Sequence, residues 1–160
     1  MFASSLRSPS RSLASLCAPL LLVLAACGGN RLSLFGGDVT AQVVVDSGIN
    51  QDSPVPVELV VVYDKGLLDQ LLTLTARDWF TKKDQIRRDY PGDEAFVSIF
   101  WELVPGQVMP AQELSFGVGA RAGIVYADYF APGDHRARID PHRDVVIRLR
   151  ESEFSVEQVP

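Results

Sequence analysis

The sequence predicts a mainly β protein, an antiparallel β-sandwich with a short helical insert after its second strand. Three observations carry this. Short runs rich in Val, Ile, Phe, Trp and Tyr recur at roughly ten-residue spacing, as strands do in sandwiches. Clusters such as Asp46-Ser47-Gly48, Pro105-Gly106 and Pro132-Gly133-Asp134 separate them, supplying the backbone geometries that turns need. Between the second and third runs the apolar period shifts from that of a strand to that of a helix.

The chain opens on a segment outside the fold. Arg7 and Arg11 precede an apolar run from Leu13 to Ala26. A basic start, a short apolar middle and small residues at a cleavage point make a secretory signal, here residues 1–26. Leu24-Ala25-Ala26-Cys27 resembles the bacterial lipobox. That resemblance implies cleavage before Cys27 and acylation of its thiol, which as thiolate is the nucleophile. Several acyl chains hold a protein on a membrane where one is marginal, since each buried methylene contributes about 0.8 kcal/mol. Asp after the cysteine marks inner-membrane retention in such lipoproteins. Gly28 stands there, which implies the outer membrane. Residues 27–37 read as a lipidated tether, made pliant by Gly28, Gly29, Gly36 and Gly37. Residues 38–160 read as the β-sandwich domain.

The strands follow in order. Residues 39–45 are β-branched and alternate imperfectly, a first strand. The polar loop 46–54 leads to 55–63, where Val55, Val57, Leu59, Val61 and Tyr63 share one parity and so one core-facing side. Pro56 donates no ladder bond, which puts it at a strand start or on an edge. The insert covers about 65–92. Leu67, Leu68, Leu71, Leu72 and Leu74, then Trp79, Phe80, Lys83 and Ile86, lie near helical spacing. Asp78 is the expected N-cap of the second helix, and Tyr90-Pro91-Gly92-Asp93 ends it. Strands resume at 96–104, 112–118, 122–130 and 144–150, with a short edge piece at 154–156. The stretch 132–143 reads as a polar connection.

Composition narrows the function. Cleavage before Cys27 leaves 160 − 26 = 134 residues, one domain with room for a real core. The leader holds two arginines and no acid, so 13 basic and 20 acidic side chains remain, a formal charge of −7. That balance opposes nucleic acid and makes the lipid, not a basic patch, the expected membrane link. Cys17 lies in the leader and Cys27 carries the lipid, so the domain has no disulfide and no cysteine metal site. No other apolar run approaches the roughly 18 residues of a membrane span.

The chemical candidates are sparse. Residues 133–144 hold both histidines, His135 and His142, with Asp134, Asp140 and Asp144. Such side chains ligate metals. Their spacing fits no ligand motif, and Arg136, Arg138 and Arg143 among them oppose a cation, so a solvated loop with local ion pairs is expected and no metal. Nucleophile elbow, phosphate-binding loop and dinucleotide fingerprint are missing. These readings predict no enzyme and no cofactor. Arg77, Lys82, Lys83, Arg87 and Arg88 read as a solvated helix face. Trp79, Phe80, Phe100 and Trp101 read as core, except that Phe100 and Trp101 must point to opposite sides of a strand.

The order of elements resembles the TssJ family, outer-membrane lipoproteins of the bacterial type VI secretion membrane complex. The matching features are Cys27, the first strand, Ile49-Asn50-Gln51-Asp52 ahead of a Pro-Val strand, and the run Pro54 to Tyr63. The helical insert, the turn Val104-Pro105-Gly106-Gln107 and the strand Gly123 to Tyr129 complete them. The long insert and the charged 133–144 loop mark a divergent branch. The resemblance implies a transthyretin-like sandwich without catalysis. It implies that the chain anchors the periplasmic domain of an inner-membrane TssM-type component at the periplasmic face of the outer membrane. It places the contact on the loop between strands 1 and 2, here Gly48, Ile49, Asn50, Gln51 and Asp52. The residues themselves allow Ile49 to be an exposed apolar plug with Asn50 and Gln51 as hydrogen-bonding partners, or to fold inward. The alternative function is a periplasm-facing lipoprotein that binds a small apolar ligand or a client protein.

Overall fold

The computed structural model describes residues 37–159; the leader, Cys27 and the tether up to residue 36 lie outside the described residues. The elements run β1 (Asp38–Val45), β2 (Val55–Val62), α1 (Lys65–Leu71), α2 (Ala76–Asp89), β3 (Phe96–Leu103), β4 (Gln112–Ser115), β5 (Ala122–Ala127), β6 (Arg136–Ile139), β7 (Val145–Leu149) and β8 (Phe154–Gln158). They form two four-stranded sheets, β4-β1-β7-β8 and β3-β2-β5-β6. The mainly β sandwich with a helical insert after the second strand is thus the observed fold.

Three expectations need correction. The sandwich is not wholly antiparallel: β1 and β7 pair in parallel, Ala41 opposite Val145 through Val45 opposite Leu149. Parallel pairing demands a long crossover, and the whole chain between them supplies it. The stretch 132–143 is not only a connection. Arg136–Ile139 adds a strand, pairing Gly123 with Ile139 and Tyr126 with Arg136. The pairing is tight: a Cβ on Gly123 would meet the Ile139 side chain at 2.6 Å. The second helix is capped by Thr75, not Asp78. The Thr75 hydroxyl accepts from the Asp78 N–H (3.1 Å), and the Asp78 carboxylate accepts in return from the Thr75 backbone N–H (3.4 Å) and also from its hydroxyl (2.9 Å). This is a capping box, which serves two otherwise unpaired donors of the first turn.

β2 lies inside its sheet, between β3 and β5, and both of its faces are buried. Val55, Val57, Leu59 and Val61 face the other sheet, where Val39, Val43, Ile147 and Leu149 meet them. Val60 and Val62 face outward under the helices, packed with Leu67, Leu71, Trp79, Ile124 and Tyr126. Trp79 stacks on Tyr126 (5.3 Å between ring centres, 8° between planes) and meets Phe96 edge-on. The Tyr126 hydroxyl donates to the Leu71 carbonyl at 2.7 Å, tying α1 to the sheet. Pro56 sits at the second position of β2, as a residue without a donor should.

Strand direction sorts the loops into two poles. β1 and β7 end, and β2, β6 and β8 begin, at one pole. It carries the connections 46–54, 104–111, 128–135 and 150–153. The opposite pole carries the start of β1 and the connections 63–64, 90–95, 116–121 and 140–144.

Candidate functional site

The β1–β2 loop is built as a rigid left-handed turn. Asn50, Gln51 and Asp52 have φ of 47°, 56° and 59°, a region most residues avoid and Asn and Asp tolerate best. Asn50 holds the turn in place. Its side-chain oxygen accepts the Phe130 N–H at 2.7 Å, its amide donates to the Pro54 carbonyl at 3.0 Å, and its backbone N–H donates to the Glu151 carbonyl at 2.7 Å. Three connections are thereby locked together: 46–54, 128–135 and 150–153. A fourth joins through the Gly106 N–H, which donates to the Asp46 carbonyl at 3.0 Å. The remaining non-glycine residue with positive φ among the described residues, His135 (43°), lies in the 128–135 connection. Backbone strain of this kind concentrates where function over-determines geometry.

The five residues singled out on this loop divide in two. Gly48, Gln51 and Asp52 are exposed. Ile49 and Asn50 are not: Ile49 is 0% exposed and belongs to the inter-sheet core, and Asn50 is 2% exposed. Ile49 is therefore no exposed plug. The left-handed turn that follows it folds its side chain inward, where it covers the end of the core.

The exposed aromatic residue among the apolar groups of this pole is Phe130, for which the residue pattern gave no separate role. It is 60% exposed while its backbone is pinned by Asn50. Val104 and Val108 are exposed on the 104–111 connection beside the loop. The connections of this pole also carry the exposed carboxylates Asp46, Asp52, Glu151 and Glu153. The signal for Phe130 was its place next to a Pro-Gly turn, beyond the last paired residue of β5.

The histidines are not brought together. His135 lies on the 128–135 connection, its ring 5.0 Å from that of Tyr129 and its Nε2 2.8 Å from the Ala131 carbonyl. His142 lies at the other pole, with β6 between them. Among the described residues no group of three His, Cys, Asp or Glu side chains could hold a metal ion.

The densest polar cluster lies elsewhere, beneath α2. Glu58 on β2 is fully buried. Its Oε2 accepts from Trp79 Nε1 (3.0 Å) and Lys83 Nζ (2.9 Å), and its Oε1 from Arg87 Nη2 and the Ser98 hydroxyl (2.7 Å each). Burial pushes its carboxyl pKa up. Hydrogen bonds from Ser98, Lys83 and Trp79, with the charge of Lys83, outweigh burial and hold it below the ordinary range. Two of the basic residues expected to be solvated are therefore clamps between α2 and the sheet. All four donors converge on one carboxylate and tie α2 and β3 to β2.

No protein-family model matches this chain, and no curated protein matches it. Solved structures do. The type VI secretion lipoprotein TssJ1 from Pseudomonas aeruginosa is similar with a TM-score of 0.57 at 15% identity, over 78% of this chain and 98% of that one. Lip from Serratia marcescens, a membrane-bound component of the type VI secretion system, is similar at 0.56 and 16%, over 78% and 99%. A chain from a structure of a type VI membrane complex is similar at 0.54 and 14%, over 78% and 98%. At these identities the likeness is one of fold: this chain has the sandwich fold of type VI secretion lipoproteins.

Proposed function

We propose that this chain is a divergent TssJ-type lipoprotein of a type VI secretion membrane complex. In this reading Cys27 is acylated and holds the domain on the periplasmic face of the outer membrane. The pole of the β1–β2 loop binds the periplasmic domain of an inner-membrane TssM-type component, and no reaction is catalysed. One observation carries the reading: a domain with the fold of TssJ1 and Lip follows, after a short tether, on Leu24-Ala25-Ala26-Cys27.

Gly48, Gln51 and Asp52 meet the partner, while Ile49 and Asn50 act from within, shaping the turn. Phe130 takes the part of apolar anchor, since it is exposed and its backbone is fixed by the same turn. A rigid loop loses little entropy on binding. The exposed carboxylates Asp46, Asp52, Glu151 and Glu153 favour a basic partner surface and an association that weakens with salt.

Two measurements test this. Palmitate labelling in cells should mark the wild type and not Cys27→Ser; an unlabelled wild type defeats the anchor. Titration of the periplasmic TssM-type domain should show Phe130→Ala weakened by one to two orders of magnitude, because burying such a side chain contributes about 1.5–3 kcal/mol. Gln51→Gly/Asp52→Gly, which removes both side chains and keeps the positive φ without strain, should weaken it further with little change in melting temperature. Wild-type affinity in both variants would move the interface to another face.

A further inference from the structure

We infer that the opposite pole, where β1 begins, lies against the lipid bilayer. Val118 enters the headgroup region there, and Arg138 and Arg143 meet lipid phosphates. The inference rests on Cys27 as the anchor and adds to it a face, an orientation and a second set of membrane contacts.

The path of the chain supplies the first argument. The Gly37 carbonyl accepts the Phe116 N–H at 3.3 Å, and a Cβ on Gly37 would lie 3.9 Å from the His142 ring. The chain toward Cys27 therefore departs between the 116–121 and 140–144 connections. From Cys27 to Gly37 is 37 − 27 = 10 residues, a reach of at most about 35 Å. The eight residues of β1 span roughly 27 Å, with the β1–β2 loop beyond. Laying the far pole on the bilayer would need the tether to run back along all of β1, drawn nearly straight. Laying the near pole there needs no such extension.

The surface at this pole fits a bilayer. Val118 is 67% exposed between Gly117 and Gly119, the latter with φ +94°, and Val159 is 42% exposed on the adjoining chain end. Val159 is held there by its N–H bond to the Asp144 carbonyl. The charges are also disposed for phosphate. Arg121, Arg138 and Arg143 are exposed and form no ion pair among the described residues. Three carboxylates beside them are engaged, Asp38 with the Ser115 hydroxyl, Asp140 with the His142 N–H and Asp144 with the Thr40 N–H, and Asp93 and Glu94 stand exposed on the 90–95 connection of the same pole. A groove of about 470 Å³ lined by Arg121, Arg138 and His142 opens at this pole. Guanidinium groups suit phosphate oxygens in both geometry and charge. On a chain that is acidic overall, Arg138 and Arg143 stand at this pole without an ion pair among the described residues, next to carboxylates that are already hydrogen-bonded, while Arg121 donates to the Tyr63 carbonyl at 2.7 Å.

The test uses the chain from Cys27 onward, which holds every described element. Its Cys27 thiol is coupled to a maleimide phospholipid in phosphatidylethanolamine–phosphatidylcholine vesicles, with plain or brominated acyl chains. Tryptophan is placed at the near pole (Val118→Trp and, separately, Val159→Trp) or at the far pole (Phe130→Trp). The wild type gives the background of Trp79 and Trp101. Bromine should quench the near-pole tryptophans several-fold more than Phe130→Trp. Arg138→Glu/Arg143→Glu in the Val118→Trp chain should reduce that quenching. Equal quenching at the two poles, stronger quenching at Phe130→Trp, or none at any position overturns the inference. Because the lipid is attached chemically, the result does not depend on acylation in cells, which palmitate labelling tests separately.

Discussion

The β3-β2-β5-β6 sheet divides two buried regions built on different terms. On its inner side, Val55, Val57, Leu59 and Val61 meet Val39, Val43, Ile147 and Leu149 across the sandwich. That contact is apolar and non-directional, and it scales with area. On its outer side, Glu58 is surrounded by Trp79, Lys83, Arg87 and Ser98. That cluster adds a directional part to the apolar packing of Val60, Val62, Leu67 and Trp79 on the same side. Each donor must stand at one place on α2 or β3, so the cluster fixes the helix's position as well as its attachment. The same strand thus contributes bulk stability through its odd residues and specificity through one even residue.

The largest expected effect comes from breaking the directional side. Glu58→Ala leaves Trp79 Nε1 without its partner and two cations facing an empty site, and should lower stability by about 3–5 kcal/mol in a denaturant titration. Leu59→Ala, one position along and facing the other way, should cost about 2–5 kcal/mol by opening a cavity. The contrast between the two should appear in acid. The Glu58 carboxyl is held below the ordinary glutamate value of about 4.3. Its stabilising contribution is therefore fully present above that unfolded value and disappears as pH falls through the folded one. Melts across that range should show wild type and Leu59→Ala losing stability on acidification more steeply than Glu58→Gln. Parallel curves would mean that the cluster's charge contributes nothing.

Smaller effects sharpen the comparison at the loops. Asn50→Ala removes the buried side chain that pairs the Phe130 N–H and the Pro54 carbonyl and should cost about 1–3 kcal/mol. Asn50→Gly accepts the same positive φ without strain, so the difference between the two variants isolates the backbone term. Smallest of all, Lys65→Ala removes an exposed i,i+4 pair with Asp69 and should change stability by only about 0.3–0.5 kcal/mol.

What could be read from the sequence depended on whether a residue's partner was local. β2, β5 and β7 stood out because alternation along one strand marks a buried face. The insert stood out because the period changed. Glu58 was missed because its donors come from elements 21 to 40 residues away, and Lys83 and Arg87 on a helix look the same whether solvated or clamped. The clue available was a lone acid in the middle of an otherwise apolar strand. Thr75 was legible: Thr-x-x-Asp is a capping pattern, and its hydroxyl should have been preferred over Asp78. β6 hid behind its charge, although Arg136-Ala137-Arg138-Ile139 does alternate. At the proposed partner site the location was legible and the exposure was not. Ile49 turns inward because three left-handed residues follow it, and no pattern of residue types announces such a turn.

The placement of β1 has a mechanical consequence. It lies between β4 and β7, with the tether entering at its first residue and the β1–β2 loop leaving its last. A pull between the tether and that loop runs along the strand. The ladder bonds to β4 on one side and β7 on the other lie across that direction, so they share the load and must fail together, not one after another as in peeling. The strand that joins the two poles is then the tie-rod of the domain, braced on both edges against tension along its own length.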